Sequence, residues 1–506
     1  MIKLEIDNKT IEVVEGIRLI EAARANGIGI PSLCYSSDLP HYTSCSVCLV
    51  KNIETNKFIH ACSAIVSENM KIDASGLEVQ ELRKEAVSML LAEHRAECEA
   101  PCKAVCPMGL NIPLMNRFIQ KSDFQSAANL AYAEMGMPET LCALCPAYCE
   151  NACRRKMIDH SIAILAVKTY SSNGLNKEEL TFPATTNGKK IAIVGGNLDG
   201  LIAAFFLAKQ GHQCTLFEKT NRISNSNASE NEKISAYFQN ELKNVLQNIN
   251  VVYGQKIDEN LISESLSKSF DTFLIASSNF DFDSNAIISD SDLICENDSL
   301  TINSIPVFKI GKAAQKNSQI IRNIAQAKKA AIAINHFLKT GIKIQKSKEF
   351  NSTIGKIDEI DKKAWLQETP VNSERFSSPS SDNDCIKEAE NCMHCDCRAS
   401  ENCELRSIAS DYQLSNPKNK STFYPIEKKI NESNGLIFEH AKCIKCGLCV
   451  RLLQKEADFQ FLGFQGRGFR SIISQPLTHQ FNDIISKNIN KLVDICPTAA
   501  LSLREK

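Results

Sequence analysis

HRAECEAPCKAVCP at residues 94–107 and CALCPAYCENACRR at residues 142–155 decide how this chain is read. Cys98, Cys102 and Cys106 follow one another with three residues between neighbours, as do Cys145, Cys149 and Cys153, and each triplet contains a Cys-Pro. Thiolates so spaced can close on one iron cluster from a short length of chain, and Cys-Pro is a common exit from such a ligand loop. Disulfides would call for an oxidising, exported setting, yet the opening MIKLEIDNKT reads as a strand and not as a signal peptide. Structural zinc prefers two separated Cys-x2-Cys pairs to interleaved triplets. Further cysteine groups elsewhere repeat ligand spacing, so iron–sulfur ligation is the reading that remains.

Toward the N-terminus, residues 78–98 (EVQELRKEAVSMLLAEHRAEC) carry apolar residues at helical period and deliver His94 four positions before Cys98. IKLEID and KTIEVVE, joined through Asp-Asn-Lys, predict a hairpin, and RLIEAARANG predicts a helix ended by Gly27. Then comes Cys34-x10-Cys45-x2-Cys48-x13-Cys62. Two close cysteines with one before and one well after, on a small strand–helix unit, suit a [2Fe–2S] cluster. Residues 1–75 resemble the N-terminal ferredoxin domain of the large iron–sulfur subunit of complex I, of iron-only hydrogenases and of some formate dehydrogenases. The resemblance implies a β-grasp fold with those four cysteines as ligands. In the complex I relatives a His-x3-Cys arrangement at the place of His94 gives an imidazole ligand to a [4Fe–4S] cluster. The alternative is a surface or helix-capping histidine.

From Cys98 to about Tyr170 the chain looks like the helical double-cluster domain of the glutamate synthase small subunit and of dihydropyrimidine dehydrogenase, which places this domain at 76–180. That resemblance implies two [4Fe–4S] clusters with crossed ligands, Cys98, Cys102 and Cys153 on one, Cys106, Cys145 and Cys149 on the other. The fourth ligands stay open. His94 could complete the first cluster. Lys168 stands where relatives place a Gln or Glu and is a poor ligand while protonated. Cys142 is a spare thiol, otherwise a buried free one.

Residues 187–345 contain KKIAIVGGNLDGLIAAFFLAKQGHQCTLFEK, a strand, tight turn, helix and strand ending at Glu218, the dinucleotide-binding layout. Its glycine fingerprint is broken. Gly195 and Gly200 remain, Asn197 takes the central place where backbone should approach a pyrophosphate, and Asp199 adds negative charge. FDTFLIASS and the run from Pro306 to Leu338 resemble the two closing motifs of the same flavoprotein family, with Lys312 after Gly311 where relatives have an acid. Relatives also insert a nicotinamide-binding domain between these motifs. Here about thirty residues separate them, with no second fingerprint. The domain therefore reads as a truncated Rossmann-like scaffold without NAD(P)H binding and with its flavin site lost. Were FAD retained, Gly195, Gly200 and Glu218 would hold it.

Residues 346–384, rich in Ser, Lys and Asp, read as a linker. The C-terminal region, 385–506, returns to cysteine: Cys392-x2-Cys395-x-Cys397-x5-Cys403, then Cys443-x2-Cys446-x2-Cys449 with Cys496-Pro497 downstream. The second set is the bacterial ferredoxin signature for one [4Fe–4S] cluster. The first suits a compact cluster loop better than zinc. FLGFQGRGFRS at 461–471 resembles a loop of formate dehydrogenase and hydrogenase subunits, with Arg467 and Arg470 toward a partner or solvent. Eighteen of the twenty-two cysteines fall into these groups, leaving Cys142, Cys214, Cys295 and Cys385 single.

The fold class expected is multidomain α+β and α/β: β-grasp ferredoxin, helical double-cluster domain, truncated Rossmann-like domain and ferredoxin-like C-terminus. A formal charge of −1 with dispersed basic residues disfavours nucleic acid, and no apolar run reaches membrane-spanning length. So many thiols without an export signal imply a reducing cytoplasm. The domain order resembles iron–sulfur subunits found beside formate dehydrogenases and bifurcating hydrogenases. It implies one [2Fe–2S] and up to four [4Fe–4S] clusters relaying single electrons between a flavin- and NAD(P)H-binding subunit and a formate-, hydrogen- or ferredoxin-linked one. The alternatives are an FAD-containing oxidoreductase subunit doing two-electron chemistry itself, and an assembly scaffold with vestigial clusters.

Overall fold

The computed structural model describes residues 1–173, 188–223, 231–276, 301–302, 305–310, 319–341, 349–355, 357–366, 374–418, 420, 426–456, 462–483 and 489–504. Gly311, Lys312 and Cys295 lie outside them. The chain forms two compact units. One comprises Met1–Ala100, Ser347–Thr369 and Cys395–Lys506, the other Pro101–Lys346 and Pro370–His394.

The first unit opens with β1 (Ile2–Ile6) and β2 (Lys9–Val13), paired antiparallel. Asp7 and Asn8 both take positive φ at the tip, which a two-residue hairpin of matching twist demands and which Asp and Asn tolerate. Helix α1 (Leu19–Ala25) gives way to Gly27 at φ +74°. With β3 (Leu49–Asn52), β4 (Lys57–His60) and β5 (Lys71–Asp73), the sheet runs β2-β1-β5-β3-β4, and β1 and β5 are parallel. Its alternating inward residues, Ile2, Leu4, Ile6, Ile11 and Val13, pack on Leu19 and Ile20 of α1. Helix α2 (Leu77–Glu93) is tied to this sheet by the buried Arg83, whose Nε donates to Leu49 O at 2.8 Å, and it ends with His94 as C-cap.

The larger unit begins with short helices: α3 (Pro101–Ala104), α4 (Ile112–Gln120), α5 (Phe124–Met135), α6 (Pro138–Ala143), α7 (Tyr148–Asn151) and α8 (Ile164–Asn173). Asn111 and Asp123 cap α4 and α5 through side-chain oxygens, as such residues do when backbone N–H groups would otherwise go unpaired. A βα succession follows: β6 (Lys190–Val194), α9 (Leu198–Lys209), β7 (Gln213–Glu218), α10 (Glu232–Leu246), β8 (Ile249–Tyr253), α11 (Glu259–Glu264), β9 (Thr272–Ile275), β10 (Thr301–Ile302), β11 (Ile305–Lys309) and α12 (Ile320–Thr340). The sheet order is β10-β11-β9-β6-β7-β8, parallel except at β10. Residues 191–194 of β6 are all buried, as expected of a strand covered on both faces. Helix α9 is buried from Leu198 to Ala208, and its Ile202 and Phe205 face the C-cap Gly136 of α5, where a Cβ would sit 3.0 Å from each. One core thus joins the helical segment to the nucleotide-type fold.

Helix α13 (Glu359–Leu366) belongs to the first unit, and α14 (Asp382–Glu390), packed on α4 and α8, to the second. The stretch expected to be a linker is anchored where it is described. Phe350, Ile354 and Trp365 are buried, and Asp361 pairs with Arg95 (Oδ1–Nη1 3.0 Å, Oδ2–Nη2 2.6 Å), both side chains 2% exposed. Few apolar residues mark the stretch in sequence, and four of them, Phe350, Ile354, Ile357 and Trp365, are buried while Ile360 is exposed. The remainder of the first unit comprises α15 (Glu404–Asp411), β12 (Lys429–Ile430), β13 (Leu436–Phe438), α16 (Leu448–Glu456), a hairpin of β14 (Gly463–Gln465) and β15 (Ile472–Ser474), α17 (Ile489–Asp494) and β16 (Leu501–Leu503). Strands β12, β13 and β16 form an antiparallel sheet. Arg467 and Arg470 are exposed beside the β14–β15 hairpin.

Candidate metal centres

Every described cysteine is a free thiol, and among the described residues no three His, Cys, Asp or Glu side chains converge as ligands of a single ion. The thiols instead gather as groups of neighbours. Their loops share a backbone feature that costs energy: Ser46, Ala147, His394, Lys445 and Ala499 all take positive φ between 44° and 59°. A non-glycine residue in that region costs roughly 1–2 kcal/mol and turns successive N–H groups toward one side, forming a concavity for negative charge. All five lie within three residues of a predicted ligand.

In the first set Cys34, Cys45, Cys48 and Cys62 are buried, each 4% exposed or less. Cys45 and Cys62 hydrogen-bond Cys34 and draw its pKa far down, while the two donors are pushed up in return. Cys48 Sγ lies 3.1 Å from Cys62 Sγ, and His41 Nε2 lies 3.1 Å from Cys62 Sγ. Four buried sulfurs that find chiefly one another suit metal–thiolate bonds better than four neutral thiols.

Cys98 has company that spacing did not suggest. Its carbonyl accepts from Cys397 N at 3.3 Å, its Sγ accepts from Ser352 N at 3.2 Å, and Cys397 and Cys98 both act on Cys403. Burial pushes the Cys403 thiol up to about 12, with Cys397 and Cys98 adding to the rise against the backbone N–H groups of Arg406 and Leu405. Positive groups surround the set: Arg406 and Lys420 beside Cys98, Lys442 beside Cys397. His94 is buried, its Nδ1 2.9 Å from Lys442 O, and burial, reinforced by Lys420, lowers its pKa to about 3. It is therefore neutral, the form in which imidazole ligates a metal. Cys102 and Cys153, the partners that the resemblance gave Cys98, belong to the larger unit. Cys395 shares a unit with Cys98 and acts on the buried Lys428.

Cys443, Cys446, Cys449 and Cys496 form the third group, each raised in pKa or felt by the others. Burial takes Cys443 up to about 12, opposed by Lys445 N, which donates to its Sγ at 3.4 Å. Gly447 sits at φ +73°, where an L side chain is strained, and a Cβ there would also lie 3.1 Å from the Phe464 ring. Cys403 Sγ lies 3.6 Å from the carbonyl of Pro497, next to Cys496. Arg451, two residues beyond Cys449, was not singled out by sequence. It is buried, and its Nη2 donates to both Cys34 O (2.9 Å) and Cys446 O (3.1 Å).

In the larger unit Cys106 and Cys145 lie near Cys149, which burial raises to about 12 with those two thiols adding to the rise. Lys168, 2% exposed on α8, faces them and hydrogen-bonds Cys142. Burial works against its charge, but Cys142, Cys149 and Cys106 outweigh it, so Lys168 holds its proton more tightly than a free lysine. Cys142 rises to about 11 through burial, with Lys168 opposing and Cys145 adding to it. Cys102 lies on α3, which packs against α7 just before Cys153. Cys392 directly follows Asn391, whose carbonyl accepts from Arg155 Nη1 at 3.2 Å.

The turn between β6 and α9 is closed from within. Asn197 caps α9 by accepting from Gly200 N at 2.9 Å, and its Nδ2 donates to Ala276 O at 2.7 Å. Glu218 accepts from Gly196 N at 2.8 Å and from Thr220. Gly200 is required for close packing, since a Cβ would meet Gly195 O at 2.0 Å.

Four stretches match known families. Residues 1–75 match the family described as a 2Fe-2S iron-sulfur cluster binding domain, and residues 72–180 that of dihydropyrimidine dehydrogenase domain II, 4Fe-4S cluster. Residues 436–502 match the ferredoxin-like domain of NADH-quinone oxidoreductase subunit 3, and residues 193–244 an NAD(P)-binding Rossmann-like domain. Among similar proteins, the NADPH-Fe(3+) oxidoreductase subunit beta of Geobacter sulfurreducens is 34% identical over 122 residues, 24% of this chain and 18% of that one. The NAD-reducing hydrogenase HoxS subunit gamma of Cupriavidus necator is 36% identical over 97 residues, 19% of this chain and 41% of its own. The glutamate synthase [NADPH] small chain of Mycobacterium tuberculosis is 29% identical over 134 residues, 25% and 27% of the two chains. The chain thus spans less than half the length of each of these relatives. It carries [2Fe–2S], [4Fe–4S] and ferredoxin-type domains and a Rossmann-like one, in common with subunits of oxidoreductases. No described helix is long and apolar enough to cross a membrane.

Proposed function

We propose that this chain is an iron–sulfur electron-transfer subunit of a multi-subunit oxidoreductase. It relays single electrons between a flavin- and NAD(P)H-reacting partner and a low-potential partner of the formate dehydrogenase, hydrogenase or ferredoxin type. One observation carries the reading: within the first unit three thiol groups adjoin. Arg451 bonds carbonyls of the first and third, and Cys403 of the second touches Pro497 of the third. Sites serving only to staple separate domains would have no need to touch. Bound iron–sulfur clusters exchange one electron at a time, at potentials set by ligand type, hydrogen bonds to sulfur and burial.

The donor sets fit such groups. Cys34, Cys45, Cys48 and Cys62 would hold a [2Fe–2S] cluster in a β-grasp domain at 1–75, and Cys443, Cys446, Cys449 and Cys496 a [4Fe–4S] cluster near the C-terminus. His94, Cys98, Cys397 and Cys403 form a mixed set. His94 is oriented through Nδ1 by a backbone carbonyl, as metal-bound histidines usually are. Cys106, Cys145 and Cys149 gain Cys142 as the thiol best placed to complete them, with Lys168 offsetting the charge. Cys102, Cys153 and Cys392, all in the larger unit, remain for a further cluster. The Rossmann-like turn does not fit a dinucleotide, because Asn197 and Glu218 already take the N–H groups that a pyrophosphate would use.

The test is one anaerobic preparation assayed for iron and flavin together. Iron approaching roughly eighteen atoms per chain without flavin is expected, from one [2Fe–2S] and four [4Fe–4S] clusters. Colourless, iron-free protein would overturn the reading, and stoichiometric FAD would replace it with the flavoenzyme.

A further inference from the structure

Arg451 occupies an unusual electrostatic position. Its side chain is buried, and its four hydrogen bonds all go to neutral carbonyls: Gly447 O from Nε (3.2 Å), Pro40 O from Nη1 (2.6 Å), and Cys34 O and Cys446 O from Nη2. Among the described residues no carboxylate forms an ion pair with it, whereas the comparably buried Arg95 has Asp361. Burying a cation without a counter-charge is costly, and carbonyl dipoles recover only part of the cost. The Tyr42 ring lies 5.6 Å from the guanidinium carbon, and the carbonyls it bonds belong to two ligand loops, Pro40 and Cys34 on one, Gly447 and Cys446 on the other. Metal-bound thiolates would supply the missing negative charge.

The geometry also fixes a distance. One nitrogen bonded to both carbonyls at 2.9 and 3.1 Å holds two ligand-bearing loops together across some four hundred residues of sequence. The planar guanidinium does this with preset donor directions, which a lysine ammonium lacks. We infer that Arg451 is a positioning residue that joins the Cys34/Cys45/Cys48/Cys62 site to the Cys443/Cys446/Cys449/Cys496 site, and that its fixed charge raises the reduction potential of both. This rests on the cluster reading above. It goes further in naming which two sites exchange electrons directly and which side chain couples them.

The experiment uses the full chain, prepared anaerobically, in EPR-monitored redox titrations of the wild type, Arg451→Met and Arg451→Lys. Removing a positive charge favours the more oxidised form. Arg451→Met is therefore expected to move the [2Fe–2S] midpoint and one [4Fe–4S] midpoint together to more negative values, with the other centres unmoved. Arg451→Lys keeps the charge and loses the fork. It is expected to hold both midpoints near wild type while the magnetic interaction between the two reduced centres changes. Shifts confined to one centre, or spread over all, would overturn the inference. Should Arg451→Met fail to assemble, Arg451→Lys decides alone: an unchanged magnetic interaction sinks the bridge, a changed one sustains it. Wild-type protein without two such reducible centres would instead remove the cluster reading.

Discussion

The turn at Gly195–Gly200 and the loop at Cys443–Cys449 both lead into a helix, α9 in one case and α16 in the other. Both are places where backbone N–H groups converge. In the first turn the chain answers its own donors: Asn197 takes Gly200 N, Glu218 takes Gly196 N, and the Asn197 amide is spent on Ala276 O. In the second, the N–H groups of Lys445, Leu448 and Val450 are given to the sulfurs of Cys443, Cys446 and Cys449, beside an arginine that pairs with no acid among the described residues. On the proposed reading the first site has lost its ligand and closes upon itself, whereas the second keeps one and leaves charges and strained turns for it to balance.

The sharpest way to break that contrast is to remove one thiol. Cys446→Ser is expected to lose roughly four iron atoms per chain and the matching EPR signal. Undiminished iron would mean that the loop is as self-sufficient as the turn. Next in size is the closed ion pair of Arg95. Asp361→Asn removes the charge of the bidentate acceptor from a buried guanidinium and should cost roughly 3–5 kcal/mol in chemical denaturation. Burial opposes the charged form of Asp361, and Arg95 outweighs it, holding the carboxyl below the usual range. Its stabilisation is therefore present above an unfolded pKa of about 3.9 and lost as pH falls through the folded value, so variant and wild type should converge in acid. A difference that persists in acid would point to lost packing instead.

Glu241 has the opposite sign. It accepts from Glu139 N, Thr140 N and Thr140 Oγ1 at the start of α6, yet burial raises its pKa to about 7 against those bonds. A raised carboxyl contributes fully below about pH 4.5, and the contribution fades as pH climbs to about 7. Wild-type stability should decline across that window by on the order of a few kcal/mol, and Glu241→Gln should flatten the slope. Parallel pH profiles for the two proteins would exclude Glu241 as the source.

Much of this was legible in the sequence because ligand spacing and hydrophobic period are local. The hairpin at Asp7–Asn8, the helix carrying His94 and the strand–turn–helix at Gly195 each declare themselves within twenty or thirty residues. The company of Cys98 could not be read that way. Cys397 and Cys403 lie some three hundred residues downstream, and only the interruption of the first unit by the second brings the three into one domain. Trp365 and Phe350 were hidden for a related reason, since isolated apolar residues in a polar stretch carry no period. Arg451 was invisible because nothing in an arginine's identity tells whether it meets water or two carbonyls. Positive φ at Ser46, Ala147 and Lys445 also left no mark, because the residues there are not glycine.

The smallest effect tests the closed half of the contrast. Asn197→Ala removes the cap on α9 and the bond to Ala276, which should cost roughly 0.5–2 kcal/mol and leave the iron content untouched, because none of the described thiol groups draws on this turn. The same variant reopens the place where a phosphate would sit. Added FAD should still not bind, measured by flavin fluorescence after gel filtration, since the Glu218 carboxylate continues to hold Gly196 N and to set negative charge against a phosphate. Flavin retained by the variant but not by the wild type would show that a single side chain had been the whole barrier, and that the scaffold around it remains a working nucleotide site.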